Sequence, residues 1–115
     1  MINSLSFLGQ KVNVVIDRPL GSKHPKHGFT YEVNYGYIPN TKSPDGEEQD
    51  VYVLGIDKPI DKIIGICIAV IHRTNDNDDK LVVTQNGEDF SDEEIEKLVE
   101  FQEKYFKHVI LRKSF

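Results

Sequence analysis

The sequence predicts a mainly β chain with one helix: a small barrel of five to six strands with a C-terminal helix packed against it. Three observations predict it. Short runs of β-branched and aromatic residues recur up to Thr84, separated by turn-forming pairs. One helical pattern follows, opened by a capping signature at Ser91. The order, short strands first and one late helix, suggests a small barrel with the helix packed against it.

Taken in order, Lys11 to Ile16 is valine-rich and weakly alternating, a strand. Arg18-Pro19-Leu20-Gly21-Ser22 breaks it, and Lys23 to Gly28 reads as a loop carrying His24 and His27. Phe29 to Ile38 is the second strand, in which alternation puts Tyr35 and Tyr37 on one face. Ser43-Pro44-Asp45-Gly46 is a turn, and Asp50 to Leu54 a third strand. Ile63 to Arg73 is nearly continuous in apolarity, which suits a strand buried on both sides or bent at Gly65. Lys80 to Thr84 is another strand, and Asn86-Gly87 a turn. In the helix, Ser91 and Glu94 match a capping box, and Asp92 and Glu93 suit the positive end of the dipole. Ile95, Leu98, Val99, Gln102 and Tyr105 share one face, so the helix is expected to reach Tyr105 or Phe106, with His108 to Arg112 as a last strand.

The 115 residues are enough for one domain, expected to span 1–115. Hydrophobic residues at 38% and charged residues at 29% suit a folded soluble chain. The net charge of −5 argues against nucleic acid or an anionic membrane as partner. It does not argue against a small phosphate ligand, because divalent cations reverse the local sign of a carboxylate pocket. Cys67 lies in an apolar run and is read as a buried small hydrophobe. With no signal-peptide pattern and no apolar run long enough for a membrane span, a cytoplasmic location is expected.

Two acidic turns stand beside strand ends: Asp45-Gly46-Glu47-Glu48-Gln49-Asp50 and Asn75-Asp76-Asn77-Asp78-Asp79-Lys80. Crowded carboxylates repel, and hard cations such as Mg²⁺ and Ca²⁺ relieve that repulsion. Either run alone is more often a solvated loop. The same reserve applies to the scattered bases Arg18, Lys23, Lys26, Arg73 and Lys80, and to Tyr35 and Tyr37, which also suit a core with a polar tip. No Ser-His-Asp or Cys-His arrangement offers a covalent nucleophile.

Three segments, in order, resemble the soluble family I inorganic pyrophosphatases. Asn34-Tyr35-Gly36-Tyr37-Ile38 is similar to that family's tyrosine strand. Asp45-Gly46-Glu47-Glu48-Gln49-Asp50-Val51 is similar to its signature, Asp-Gly-Asp-Pro-x-Asp-Val. Asp76 to Lys80 is similar to its second acidic loop, which ends Asp-x-Lys. The resemblance implies a distorted, OB-like barrel and Mg²⁺-dependent hydrolysis of pyrophosphate to two phosphates. It implies Asp45, Asp50 and Asp78 as metal ligands, with Asp76 as a fourth. It implies Glu47 beside the attacking water as ligand or general base, so that the catalytic set is Glu47, Asp45 and Asp50. Tyr35, Lys80, Tyr105 and Arg18 are the implied substrate-binding residues. Assembly into homo-oligomers is also a family habit.

The pattern departs from the family in four ways. Glu47 stands where the family has aspartate, and a shift of about 1 Å in a reacting group can cost on the order of 100-fold in rate. Glu48 replaces a proline, the second acidic loop is about three residues shorter, and the chain is shorter by about a third. The family's N-terminal hairpin, with its lysine, glutamate and arginine, is missing. Two registers are open at that end. Either Arg18 replaces the arginine, or Val12 to Ser22 matches the strand before the hairpin and the arginine is absent; the second is preferred, with Lys23, Lys26 or Arg73 compensating. At the other end Phe106 stands where the family has lysine. These departures keep two alternatives in view: hydrolysis of another phosphoanhydride, such as a nucleotide or polyphosphate, and a metal- or phosphate-binding module without turnover.

Overall fold

The structure, a computed structural model, describes residues 4–41, 46–76 and 78–113. After a short 3₁₀ turn at Ser4–Phe7, the strands are β1 (Lys11–Arg18), β2 (Asn34–Ile38), β3 (Gln49–Val53), β4 (Lys62–Arg73) and β5 (Asp79–Thr84). Helix α1 (Asp92–Glu103) and strand β6 (His108–Leu111) complete the order. The sheet runs β1-β2-β3-β5-β4-β6, and a β1–β4 pairing closes the first five strands into a barrel. All pairings are antiparallel except β3–β5, which is parallel. No helix among the described residues is long and apolar enough to cross a membrane.

Strand alternation sorts the apolar residues into two cores. Val12, Val14 and Ile16 of β1 join Val51, Val53, Leu81 and Val83 in one. Tyr52, Val82 and Ile71 face the other way and pack with Ile95, Val99 and Phe101 of the helix. β3 and β5 are therefore buried on both faces, while Lys11 and Asn13 of β1 are exposed. β4 contributes to both cores, with Cys67 and Val70 in the first and Ala69 and Ile71 in the second. An irregularity between Cys67 and Ala69 in its pairing with β5 makes this possible. Cys67 is buried as expected, and burial pushes its thiol up to about 11.

Three expectations need correction. β2 begins at Asn34, not Phe29, because residues 21–31 bond to themselves: Gly21 N–H donates to Tyr31 O, His24 N–H to Phe29 O, and Lys23 bridges Thr30. β1 runs on to Arg18, with a bulge between Ile16 and Arg18 against β2. The helix ends at Glu103, not Tyr105 or Phe106. Past that point Phe106 covers the Arg73 guanidinium, 3.6 Å from its ring centroid, and the chain turns into β6 against β4. The capping box is present as read: Ser91 Oγ accepts from Glu94 N–H at 3.1 Å, and Glu94 Oε1 from Ser91 N–H at 2.8 Å.

A buried polar network pins the helix to the barrel. Arg73 donates to both Glu103 oxygens, at 3.1 and 2.7 Å, and Tyr52 Oη donates to Glu103 at 2.7 Å. Gln102 Nε2 donates to Tyr52 Oη at 2.6 Å, and Tyr31 Oη to Gln102 at 3.2 Å. Burial alone would raise the Glu103 carboxyl, but the Arg73 hydrogen bonds and charge outweigh it and hold the pKa below the ordinary 4.5.

Two outcomes follow. Gly36 lies so close to β1 that a Cβ would sit 1.9 Å from Val15 O, so Gly36→Ala is expected to cost about 3 kcal/mol or more in urea unfolding. Arg73→Met leaves Glu103 buried without its cation and is expected to cost about 3–5 kcal/mol at pH 7. The wild-type contribution of Glu103 is present above its ordinary pKa of 4.5 and fades as pH falls through the lower folded value. The gap between wild type and variant, followed by urea unfolding against pH, should therefore narrow below about pH 4.5.

Candidate active site

The parallel pairing of β3 and β5 makes the site. Parallel strands start at the same end, so the turns that precede them are neighbours, although about 30 residues apart in the chain. Asp50 is in register with Lys80, and Gln49 Nε2 donates to Asp79 O at 2.7 Å. The Lys80 ammonium bridges two carboxylates, donating to Asp50 Oδ2 at 2.6 Å and to Asp78 Oδ2 at 2.7 Å. Asp78 and Lys80 are two apart, so they share a face with Asp50. Asp79, on the other face, bonds His72 Nδ1 at 2.7 Å and Ser4 Oγ.

Asp50 and Lys80 open onto a cleft of about 650 Å³. Arg18, Tyr35 and Tyr105 also line it. The β1 bulge between Ile16 and Arg18 brings both Asp17 and Arg18 to the wall of the cleft, so an arginine from the end of β1 is present there. Tyr35 is buried, and burial, then the charges of Asp50 and Asp78, push its hydroxyl well above the ordinary value, so it stays a proton donor. Tyr105 is 59% exposed and stacks on Phe29, with centroids 6.1 Å apart.

The remaining expected residues lie around this group. Asp78 meets the cleft through Lys80 and is not on its wall. Glu47 is exposed, two residues before β3. Asp76 is exposed on the second turn, 3.7 Å from the Arg73 guanidinium. Asp45 lies outside the described residues, as does Asn77.

Sequence reading missed several lining residues. Gln102 and Phe106 enter from the helix and the turn after it, while Arg73, one of the bases named as compensating for the missing arginine, enters from the end of β4. His24, His27, Phe29 and Tyr31 come from the self-bonded 21–31 loop. The loop is anchored by the buried Asn34, whose Oδ1 accepts from Leu20 N–H at 2.9 Å while its Nδ2 donates to Lys58 O at 2.9 Å. The nearest signal in the sequence was the pair of histidines three apart between prolines and glycines.

The donor set suits a hard divalent cation. Asp78 Oδ1 is buried with no hydrogen-bond partner among the described residues. Such an orphaned acceptor is costly and calls for an explanation. Burial raises the Asp78 pKa above the ordinary 3.8, Lys80 opposes that by charge and hydrogen bond, and the Asp50 charge adds to the rise. A cation beside Asp50 and Asp78 would satisfy the free oxygen and relieve the repulsion. Among the described residues no group of three histidine, cysteine or acidic side chains forms an enclosing cluster.

The profile of the family described as inorganic pyrophosphatase matches residues 11–111. No curated protein sequence matches the chain significantly. In fold it is similar to the inorganic pyrophosphatase from Ehrlichia chaffeensis, with a TM-score of 0.71 and 19% identity over 91% of this chain and 87% of that one. It is similar also to the inorganic pyrophosphatase from Neisseria gonorrhoeae, with a TM-score of 0.66 and 21% identity over 90% and 76% of the two chains. The pyrophosphatase from Helicobacter pylori gives 0.64 and 18% over 89% and 82%. The barrel accords with the likeness in fold, and the profile match covers nearly the whole chain. The chain therefore belongs to the inorganic pyrophosphatase family, which implies a divalent metal cofactor.

Proposed function

We propose that this cleft hydrolyses inorganic pyrophosphate to two phosphates with Mg²⁺, and that Asp45, Asp50, Asp76 and Asp78 hold the metal. The observation that carries the reading is the meeting of Asp50, Asp78 and Lys80 at one end of a parallel strand pair. When bound, Mg²⁺ supplies charge neutralisation of the substrate and lowers the pKa of a water. The chain's own residues do the rest. Water adds to one phosphorus as the bridging P–O bond breaks, and its proton passes to the Glu47 carboxylate. The Tyr35 hydroxyl, held protonated, donates to a phosphate oxygen, as do Lys80, Arg18 and Tyr105. The proposal includes a cytoplasmic location and no nucleic-acid or membrane partner, in keeping with the net charge of −5.

A second reading has one observation in its favour. A cleft of about 650 Å³ with Phe29 and Tyr105 on its walls leaves room for a longer phosphoanhydride, such as a nucleotide or polyphosphate. A substrate panel at fixed Mg²⁺ separates the two, since the first requires pyrophosphate to be the best substrate.

Phosphate release from pyrophosphate is expected with Mg²⁺ and not after chelation. Asp50→Asn should lower it by at least about 100-fold, the upper range for groups that only support a ligand, with the fold intact by circular dichroism. Full activity in that variant would reject the site. Asp78→Asn should lose activity without losing stability. The raised pKa means the Asp78 contribution to stability is present below its ordinary 3.8 and lost as pH rises through the higher folded value. At pH 7, with chelator, the neutral variant should therefore melt no lower than wild type.

A further inference from the structure

The described cations of the cleft are mostly engaged. Lys80 is held by Asp50 and Asp78, and Arg73 by Glu103. The loop that carries His24 differs in character. Residues 19–29 contain Lys23, His24, Lys26 and His27 and no acidic residue, in a chain with 19 of them. A substrate with several negative charges finds its least opposed partner surface there.

The loop also fixes which edge of the His24 ring is available. Its Nδ1 accepts the backbone N–H of Lys26 at 3.1 Å and of His27 at 3.2 Å. A nitrogen that accepts carries no proton, so the neutral ring bears its hydrogen on Nε2. Nε2 has no hydrogen-bond partner among the described residues, while the ring lines the cleft. Slight burial, then the positive charges of His27, Arg18 and Lys26, hold the ring pKa below the ordinary 6.5, so the neutral form prevails near pH 7. Its neighbours are aromatic and hold it in place: His27 at 4.7 Å, Phe29 at 4.9 Å and Tyr31 at 6.2 Å between centroids.

We propose that His24 is a substrate-binding residue of this site, donating from Nε2–H to a peripheral phosphate oxygen of the bound substrate. The inference rests on the pyrophosphate reading for its ligand, and it requires binding, not turnover. A rigidly held donor needs no reorganisation when the anion arrives, which is why loop amides are spent on orienting the ring. His27, whose own backbone N–H is one of those amides, belongs to the scaffold.

Two measurements on the full chain test this, with methylenediphosphonate as a non-hydrolysable probe in Mg²⁺. The first is calorimetric affinity for wild type, His24→Asn and His24→Gln. Asparagine keeps an oxygen near Nδ1 to accept the loop amides but places no donor at Nε2, and should weaken binding by about 10- to 100-fold. Glutamine sets an amide nitrogen near Nε2 and should stay within about threefold of wild type. Equal affinity of His24→Asn and wild type overturns the proposal. The second uses wild type alone, so it stands even if a variant does not fold. Imidazole ¹⁵N spectra should show the Nε2–H tautomer of His24, with its proton shifted by the probe; an Nδ1–H tautomer or an unmoved signal overturns the proposal. Wild type that binds the probe as predicted but releases no phosphate from pyrophosphate would sink the catalytic reading and leave this one standing. Turnover with an indifferent His24 would do the reverse.

Discussion

The whole site depends on β3 and β5 running in the same direction. Antiparallel neighbours would send their leading turns to opposite ends of the barrel. Because the pair is parallel, Asp50 and Lys80 fall side by side and Asp78 joins them from two residues upstream. The connection from β3 to β5 passes through the long β4, which closes the barrel against β1 on its way. Closure and convergence are thus one topological fact, and neither acidic turn has the chemistry alone.

The cleft sits at the margin of the second core, where apolar packing gives way to paired charges. Arg73 and Glu103 illustrate the exchange. Each is nearly or fully buried, and each is tolerable only because the other is there with its hydrogen bonds aligned. Tyr52 and Gln102 extend the network, so the helix is held by polar geometry as well as by Ile95 and Val99. Asp78 is the exception. Its second oxygen is buried and unsatisfied, which is a stability cost located beside the proposed metal ligand Asp50.

Much of this was legible in the chain. Alternation marked the strands, Ser91 and Glu94 marked the helix start, and the two acidic turns marked the place where Asp50, Asp78 and Lys80 meet. What was not legible depended on partners remote in sequence. Helical spacing carried the expected helix to Tyr105, but Phe106 is taken up by Arg73, 33 positions earlier. Phe29 to Val33 has strand-like composition, yet the backbone of 21–31 bonds to itself. Arg73 reads as one base among several until Glu103 is seen beside it. Nothing local betrays the β1 bulge that turns Arg18 into the cleft.

The irregularity in β4 at Ile68 has a consequence for the charge layout. In an unbroken strand, positions 67, 69, 71 and 73 would all look the same way, and a guanidinium would be aimed with Cys67 into a greasy enclosure. One surplus residue shifts the side-chain phase by half a period, so the far half of the strand serves the helix and the cleft instead. A single hiccup in pleating thus decides on which side of the wall a permanent positive charge resides.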